Sequence, residues 1–301
     1  MVALPLLASL AGCGTEVEAG NPWVPAAEIH GVLSPEIVAD PPAASRDGRH
    51  VTLNPLRVVT FNVELGEDVD ALARAFLEHP ELSSAGLLLL QEEESHPGEG
   101  GSRAARLAAA LGMAHVYVPS REEGDGSHGL AILSVFPIGE VKAMRLPASD
   151  ILITGAPRIA VSVDIQVGAK TLHVINVHLD TLLNATDRVL QLRPAILDAP
   201  ETVLVGGDFN TNDYVWAGGS VPVLPVDAVA DSDQAPILDD YMAEQAFDTP
   251  TSGSGSTEHR FGAEFRLDSI YTRGLTTVFG GVARDVDESD HWPVWVDVTI
   301  P

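Results

Sequence analysis

From residue 56 onward, short β-branched or leucine-rich runs alternate with stretches in which apolar residues return every three or four positions. Residues 57–63 (RVVTFNV) open the pattern as a strand. Residues 68–78 follow with Val69, Leu72, Ala73, Phe76 and Leu77 spaced along one helix face. The run 86–91 (GLLLLQ) reads as a buried strand, and 102–111 as an alanine-rich helix. Strands are predicted at 130–134, 158–167 and 171–178, a helix at 186–197, and strands again at 203–205, 267–272 and 293–299. Only Gly168-Ala169 separates two of the strands, which predicts a hairpin and antiparallel pairing. The chain therefore reads as α/β with mixed sheets, without an internal repeat or heptad.

Upstream the pattern stops. Residues 14–55 are rich in Pro, Ala, Glu and Gly with no sustained period, and read as a tether with a short strand near 29–33. Residues 1–11 (MVALPLLASLA) are apolar but well short of the ~20 residues that span a bilayer as a helix. They end in Leu10-Ala11-Gly12-Cys13, which resembles the bacterial lipobox, where the leader is cleaved before a cysteine that carries lipid. No Lys or Arg precedes the apolar run, so the natural start is expected upstream of Met1. The expected division is a lipoprotein-type signal peptide at 1–12, a tether at 13–55 and a catalytic domain at 56–301. The resemblance implies an exported protein held to a membrane through lipid on Cys13. Gly14, where some retained lipoproteins have aspartate, favours the outer membrane. Cys13 is the only cysteine, so no intramolecular disulfide forms.

The hydrophobic content of 45% suits an ordinary globular core. The net charge of −26 argues against strong nonspecific attraction to nucleic acid, because phosphate contacts normally use Lys or Arg. A polyanionic substrate would need local help, which divalent cations can supply.

Polar residues recur immediately after apolar strands: Asn62 in TFNVE, Glu92 in LLLLQE, His178 and Asp180 in INVHLD, Asp208 and Asn210 in GGDFN, Asp268 in RLDSIY, and Asp290 with His291 in SDHWPV. Singly each is what a turn would carry anyway. Their order along 56–300 resembles the endonuclease/exonuclease/phosphatase superfamily, as do GLAILSVFPI at 129–138 and Arg188 with Gln191 in an R-x-x-Q helix. The resemblance implies a four-layer sandwich of two mixed, mainly antiparallel β-sheets packed together and flanked by helices, with the site at one end.

It further implies a metal-dependent phosphoesterase that uses an activated water. Asn62, Glu92 and Asp290 would hold Mg²⁺ or Mn²⁺, with Glu64 behind them. Asp208 would activate the water, Asn210 would contact the phosphoryl oxygens, Asp268 would orient His291, and His178 would be a second donor to phosphate. Arg158, opening the strand RIAVSV, is a candidate to neutralise the phosphate. Glu93 and Glu94 are expected to be solvated and His173 to lie on a strand face, while His259 is left open. Ser269 stands where many relatives have an aromatic residue. The acidic segment 211–264 is the least family-like and would repel an extended polyanion, and the domain offers no basic stripe or run of stacking aromatics for single strands. A monomer acting on a small or lipid phosphoester is expected. A surface nuclease acting on DNA or RNA remains an alternative, and so does a catalytically silent binding lipoprotein.

Overall fold

In a computed structural model of the chain, which describes residues 22–29, 33–42, 54–148, 156–216, 228–259 and 265–301, the leucine run of residues 87–90 feeds two different cores. Leu87 and Leu89 join a cluster with Val58, Ile132, Val161 and Leu204. Leu88 and Leu90 join another with Phe61, Phe76 and Leu107. Successive strand side chains face opposite ways, so a strand that is apolar at every position must be covered on both faces.

One sheet has seven strands in the order β14 (Thr276–Val282), β15 (Val294–Thr299), β3 (Leu56–Leu65), β4 (Ala85–Ser95), β6 (Gly126–Ser134), β5 (Ala114–Glu123) and β2 (Glu36–Val38). The other has six: β1 (Val24–Pro25), β7 (Ile138–Arg145), β8 (Ile159–Val167), β9 (Lys170–His178), β10 (Val203–Asp208) and β13 (Asp268–Arg273). The first core is shared by both sheets. Beyond the seven-stranded sheet, α1 (Val69–Glu78) and α2 (Arg103–Leu111) pack on the second. Beyond the six-stranded sheet, α3 (Ala185–Ile196) and α4 (Ala235–Glu244) bury Leu192, Ile196, Leu238 and Met242 against Ile175, Val205 and Tyr271. The fold is thus a sandwich of two mixed sheets between helices. A two-stranded ribbon, β11 (Tyr214–Trp216) and β12 (Ala228–Ala230), lies outside it.

Local chemistry sets the boundaries. The Asp68 carboxylate accepts from Ala71 N (2.9 Å) to start α1, and Ser102 Oγ accepts from Ala105 N (3.0 Å) to start α2. Leu72 and Phe76 are each worth roughly 1.5–3 kcal/mol in burial, which ties α1 to the sheet. The hairpin at Gly168-Ala169 forms between β8 and β9. Parallel pairing is confined to β3 with β4 and β9 with β10, each joined through a helix; the other pairs are antiparallel.

Several elements differ from the sequence pattern. β5 contains Pro119, which lowers a strand's score, and its ladder shifts register between Pro119 and Arg121. β7 and β14 are partly exposed and carry Gly or charge in place of clean alternation. β6 begins at Gly126 rather than at residue 130, and α4 lies in a segment for which the apolar spacing predicts no helix.

The segment read as a tether is attached in two places. Val24 and Pro25 pair with Ala143 and Lys142, while Glu36–Val38 pair with His115–Tyr117. Ala26 and Ile29 are buried beside them. Open sheet edges present unpaired backbone groups, and these short strands cover two of them. They flank the strand expected near 29–33, whose residues 30–32 lie outside the described set, as do Cys13 and the apolar leader. Among the described residues no helix is long and apolar enough to cross a membrane.

Candidate active site

β9 and β10 run parallel with His178 level with Asp208, and β13 runs antiparallel to β10 with Asp268 level with Asp208. Two strands therefore end, and a third begins, at one sheet edge, which lines up an imidazole and two carboxylates. Glycine is required at 207: its φ is 154°, and a Cβ there would stand 2.0 Å from Val177 O. In the facing sheet β3 and β4 are parallel, and their registers shift after Asn62 and after Leu90. Glu64, Leu65 and Glu92 have φ of 45°, 71° and 59°. These bulged, left-handed positions re-aim Asn62 and Glu92 at the cost of backbone strain.

The side chains meet across the sandwich. Asn62 Nδ2 donates to Glu92 Oε1 (3.1 Å) and to Asp208 Oδ2 (3.0 Å). Asn210 N donates to Asp208 Oδ1 (2.8 Å), and its Nδ2 donates to Leu179 O (2.9 Å). His178 Nε2 lies 3.4 Å from Asp208 Oδ2 and 4.0 Å from Glu92 Oε1. His291 Nδ1 donates to Asp268 Oδ2 at 2.7 Å, leaving Nε2 3.9 Å from Asp208 Oδ2. Asp290 adjoins this group through its backbone N, which donates to Glu64 Oε2 (3.0 Å).

Burial and charge set the protonation states. Burial, then the neighbouring Asp268, pushes the Asp208 pKa up to about 7, although His291 and hydrogen bonds from Asn62 and Asn210 oppose the rise. Burial alone would lower His291, but the charge and hydrogen bond of Asp268, with Asp208 and Asp290, raise it to about 10. His178 is held well below the usual imidazole value by burial and by Arg158. The site thus contains one imidazole that keeps its proton and one that stays neutral.

Sequence reasoning did not single out two supports, Thr257 and Ser289. Thr257 Oγ1 donates to Asp268 Oδ2 (2.7 Å), locking the acceptor of His291. Ser289 Oγ donates to Asn62 O (2.7 Å) and accepts from His291 N (3.1 Å), fastening the segment that leads into β15 to β3. His259 stacks on Trp292 with Nε2 3.0 Å from Ser289 O. Arg188 is fully buried and donates to Asp180 O and Thr181 O, while Gln191 Oε1 accepts from Asp180 N, so the R-x-x-Q pair holds the loop that follows His178.

Glu93 and Glu94, expected in solvent, are buried at 1% and 5% exposure. The bulge at Glu92 breaks the alternation and turns them inward, where Glu94 Oε2 accepts from Arg103 Nη1 (2.9 Å) and burial pushes the Glu93 pKa up to about 8. His173 pairs with Asp164 (2.8 Å) on the outer strand face. Arg158 is largely buried, and its charge is felt from Asp180, Asp208 and Glu92.

The donor set suits a hard divalent cation. Glu92, Asp208 and Asn62 bring two carboxylates and one amide within hydrogen-bonding distance, and Asp268 Oδ1 is buried without a partner. Ligand atoms of Asp208, Asp268 and His291 also lie within 4.8 Å of one another. In that group, however, Asp268 already accepts the His291 proton, so its chemistry is that of an oriented imidazole rather than of a ligand set.

The endonuclease/exonuclease/phosphatase family model matches residues 59–291. Among solved structures, an endonuclease/exonuclease/phosphatase from Beutenbergia cavernae is 20% identical with a TM-score of 0.59, covering 81% of this chain and 71% of its own. A mannosyl-6-phosphatase from Bacteroides thetaiotaomicron is 16% identical with a TM-score of 0.56 over 81% of this chain and 100% of its own. D. rerio TDP2, solved with a single-strand DNA product, is 16% identical with a TM-score of 0.56 over 81% of this chain and 98% of its own. No curated protein matches by sequence. With the site residues gathered at one sandwich edge and 59–291 spanning them, the chain belongs to the endonuclease/exonuclease/phosphatase family, whose members are hydrolases of phosphoesters and generally depend on divalent metal.

Proposed function

We propose that this chain is a divalent-metal-dependent phosphoester hydrolase that uses water as nucleophile, with a small or lipid phosphoester as substrate. The observation that carries the proposal is the unbroken contact chain Glu92–Asn62–Asp208, with His178 and the Asp268–His291 pair on either side. Asn62, Glu92 and Asp290 would hold Mg²⁺ or Mn²⁺, which supplies charge neutralisation for the phosphoryl oxygens when bound.

Asp208 then takes the proton of the attacking water, its Oδ1 being fixed by Asn210 N and its Oδ2 facing the two imidazoles. The water oxygen bonds to phosphorus as the ester P–O bond breaks, and the leaving oxygen takes a proton from solvent, to which Asp208 returns the one it accepted. His291, pinned by Asp268, donates from Nε2 to a phosphoryl oxygen. Neutral His178 offers one N–H to the same group, and Asn210 keeps one amide hydrogen for it. No Ser or Cys occupies a matching nucleophile position, which favours water.

The proposal includes export and lipid attachment at Cys13, resting on the lipobox-like residues 10–13. Metabolic labelling with a palmitate analogue tests this, and equal labelling of the Cys13→Ser chain overturns it.

Hydrolysis is tested on 4-nitrophenyl phosphate, bis(4-nitrophenyl) phosphate and plasmid DNA, with Mg²⁺, Mn²⁺ or chelator. Metal-dependent turnover of an aryl ester is expected. Cleavage confined to DNA would support the surface-nuclease alternative, and no metal-dependent cleavage of any of the three would contradict the proposal.

A further inference from the structure

Beside His178 lies a second group, Arg121, His128 and Arg158, that the roles above do not use. The His178 ring lines a small, half-open recess of about 10 Å³, room for one water or one phosphoryl oxygen, with Ser120, His128, Leu130, Pro157 and Arg158. Arg121 Nη1 lies 2.9 Å from His128 Nδ1. A guanidinium can only donate, so Nδ1 accepts and the ring hydrogen of His128 sits on Nε2. Burial, then the charges of Arg121 and Arg158, pushes the His128 pKa down to about 3, which keeps the ring neutral in that tautomer.

The pair is held in place. Arg121 Nε donates to Glu123 Oε2 (3.0 Å), and Ser120 Oγ donates to His128 O (2.9 Å). The strands there approach so closely that a Cβ at Gly129 would stand 2.1 Å from Val118 O. Arg158 Nε and both ring nitrogens of His178 are buried without a hydrogen-bond partner. Buried donors left unpaired are costly, so two around one recess, the Arg158 Nε–H and the single N–H of neutral His178, indicate that a ligand completes them.

A phosphodiester exposes two non-bridging oxygens, carries one charge, and needs room for its second ester arm. A phosphomonoester exposes three such oxygens and carries up to two charges. The recess offers donors and positive charge between apolar walls at Leu130, Pro157 and Ile159.

We propose that His128 and Arg158, with Arg121 positioning His128, form an anion subsite for the additional oxygen of a phosphomonoester and make the chain selective for monoesters over diesters. The proposal rests on the hydrolase reading above and narrows its substrate class. Arg158 and His128 contact the phosphate, whereas Arg121 acts through the His128 ring.

The test compares 4-nitrophenyl phosphate with methyl 4-nitrophenyl phosphate for the whole chain, His128→Gln and Arg121→Met, with calorimetric titration of inorganic phosphate alongside. The unchanged chain should prefer the monoester. Each variant should lose about ten-fold in kcat/KM on the monoester, mainly through KM, and less than about two-fold on the diester. Phosphate binding should weaken in parallel. A preference for the diester, an equal loss on both esters or no loss on either would overturn the subsite. Cleavage of neither ester by the unchanged chain would defeat the hydrolase reading alone. Phosphate binding then decides the subsite: weakening in the variants upholds it, and unaltered or absent binding overturns it. Arg121, with a side chain 26% exposed, keeps the test available if His128→Gln does not fold.

Discussion

The acidic half of the site, Asn62, Glu92, Asp208 and Asp268, is held by short hydrogen bonds among its members and to Asn210, Thr257 and His291, with buried Asp268 Oδ1 alone left without a partner. The basic half, Arg158, His178 and the Arg121–His128 pair, leaves Arg158 Nε and the His178 nitrogens without partners. The difference teaches how one edge of a sandwich serves two ligands of opposite charge. The carboxylates are prearranged by internal contacts, so an arriving cation meets a fixed geometry at little ordering cost. The donors opposite are held in place by packing and backbone contacts, and their hydrogen bonds await an anion. Both depend on strand ends rather than on mobile loops: β9, β10 and β13 deliver three side chains in register, and bulges in β3, β4 and β5 redirect the rest.

The contrast breaks most severely if the acidic half loses its base or its oriented imidazole. Asp208→Asn and His291→Ala should each lower kcat by about 10³-fold, read by steady-state kinetics with the thermal midpoint preserved. A loss shared equally by a variant far from the edge would show that both act through stability alone.

Asp297 supplies that distant comparison. Arg57 makes a bidentate contact to Asp297 at 2.8 and 2.7 Å, donates to Glu81 O and stacks 4.0 Å over the Trp295 ring. Asp297→Ala strands a mostly buried guanidinium and should cost roughly 2–3 kcal/mol in a urea titration, with kcat unchanged in the folded fraction. A fall in kcat there would tie the remote strand to the site.

In the basic half, the monoester-specific ten-fold loss expected of His128→Gln and Arg121→Met is smaller still. The smallest effect concerns pH. His128 has a folded pKa of about 3 against a usual 6.5, so the stability it contributes is present above 6.5 and declines as pH falls toward 3. His115 and His178 are also lowered and share in that decline. His128→Gln should therefore shift the acid-unfolding midpoint downward by a few tenths of a pH unit, followed by circular dichroism; an upward shift would mean that the ring is charged in the fold.

The acidic half was legible in the sequence, as were His178 and Arg158 of the basic half, whereas the Arg121–His128 pair was not, for a physical reason. GGDFN and SDHWPV keep their chemistry in short strings directly at strand ends, where a regular strand points a side chain at the edge. Arg121 follows Pro119 and a register shift, and His128 lies in the part of β6 that begins before the apolar run. Their meeting depends on the hairpin pairing, which no local spacing reveals. Glu93 and Glu94 are expected in solvent because they are charged, and the left-handed backbone at Glu92, which local sequence does not announce, turns them inward. The layered fold was readable because an apolar run such as 87–90 demands cover on both faces. The edge strands β1 and β2 were not, since their pairing depends on open edges elsewhere in the chain.

The most direct measurement follows 4-nitrophenyl phosphate turnover against Mn²⁺ concentration for the unchanged chain, Glu92→Gln and Asp208→Asn. Saturable, chelator-abolished turnover is expected in the unchanged chain, with half-saturation moved to higher metal in Glu92→Gln and turnover lost in Asp208→Asn. Turnover that survives chelator and is indifferent to Glu92→Gln would contradict a cation-binding acidic half.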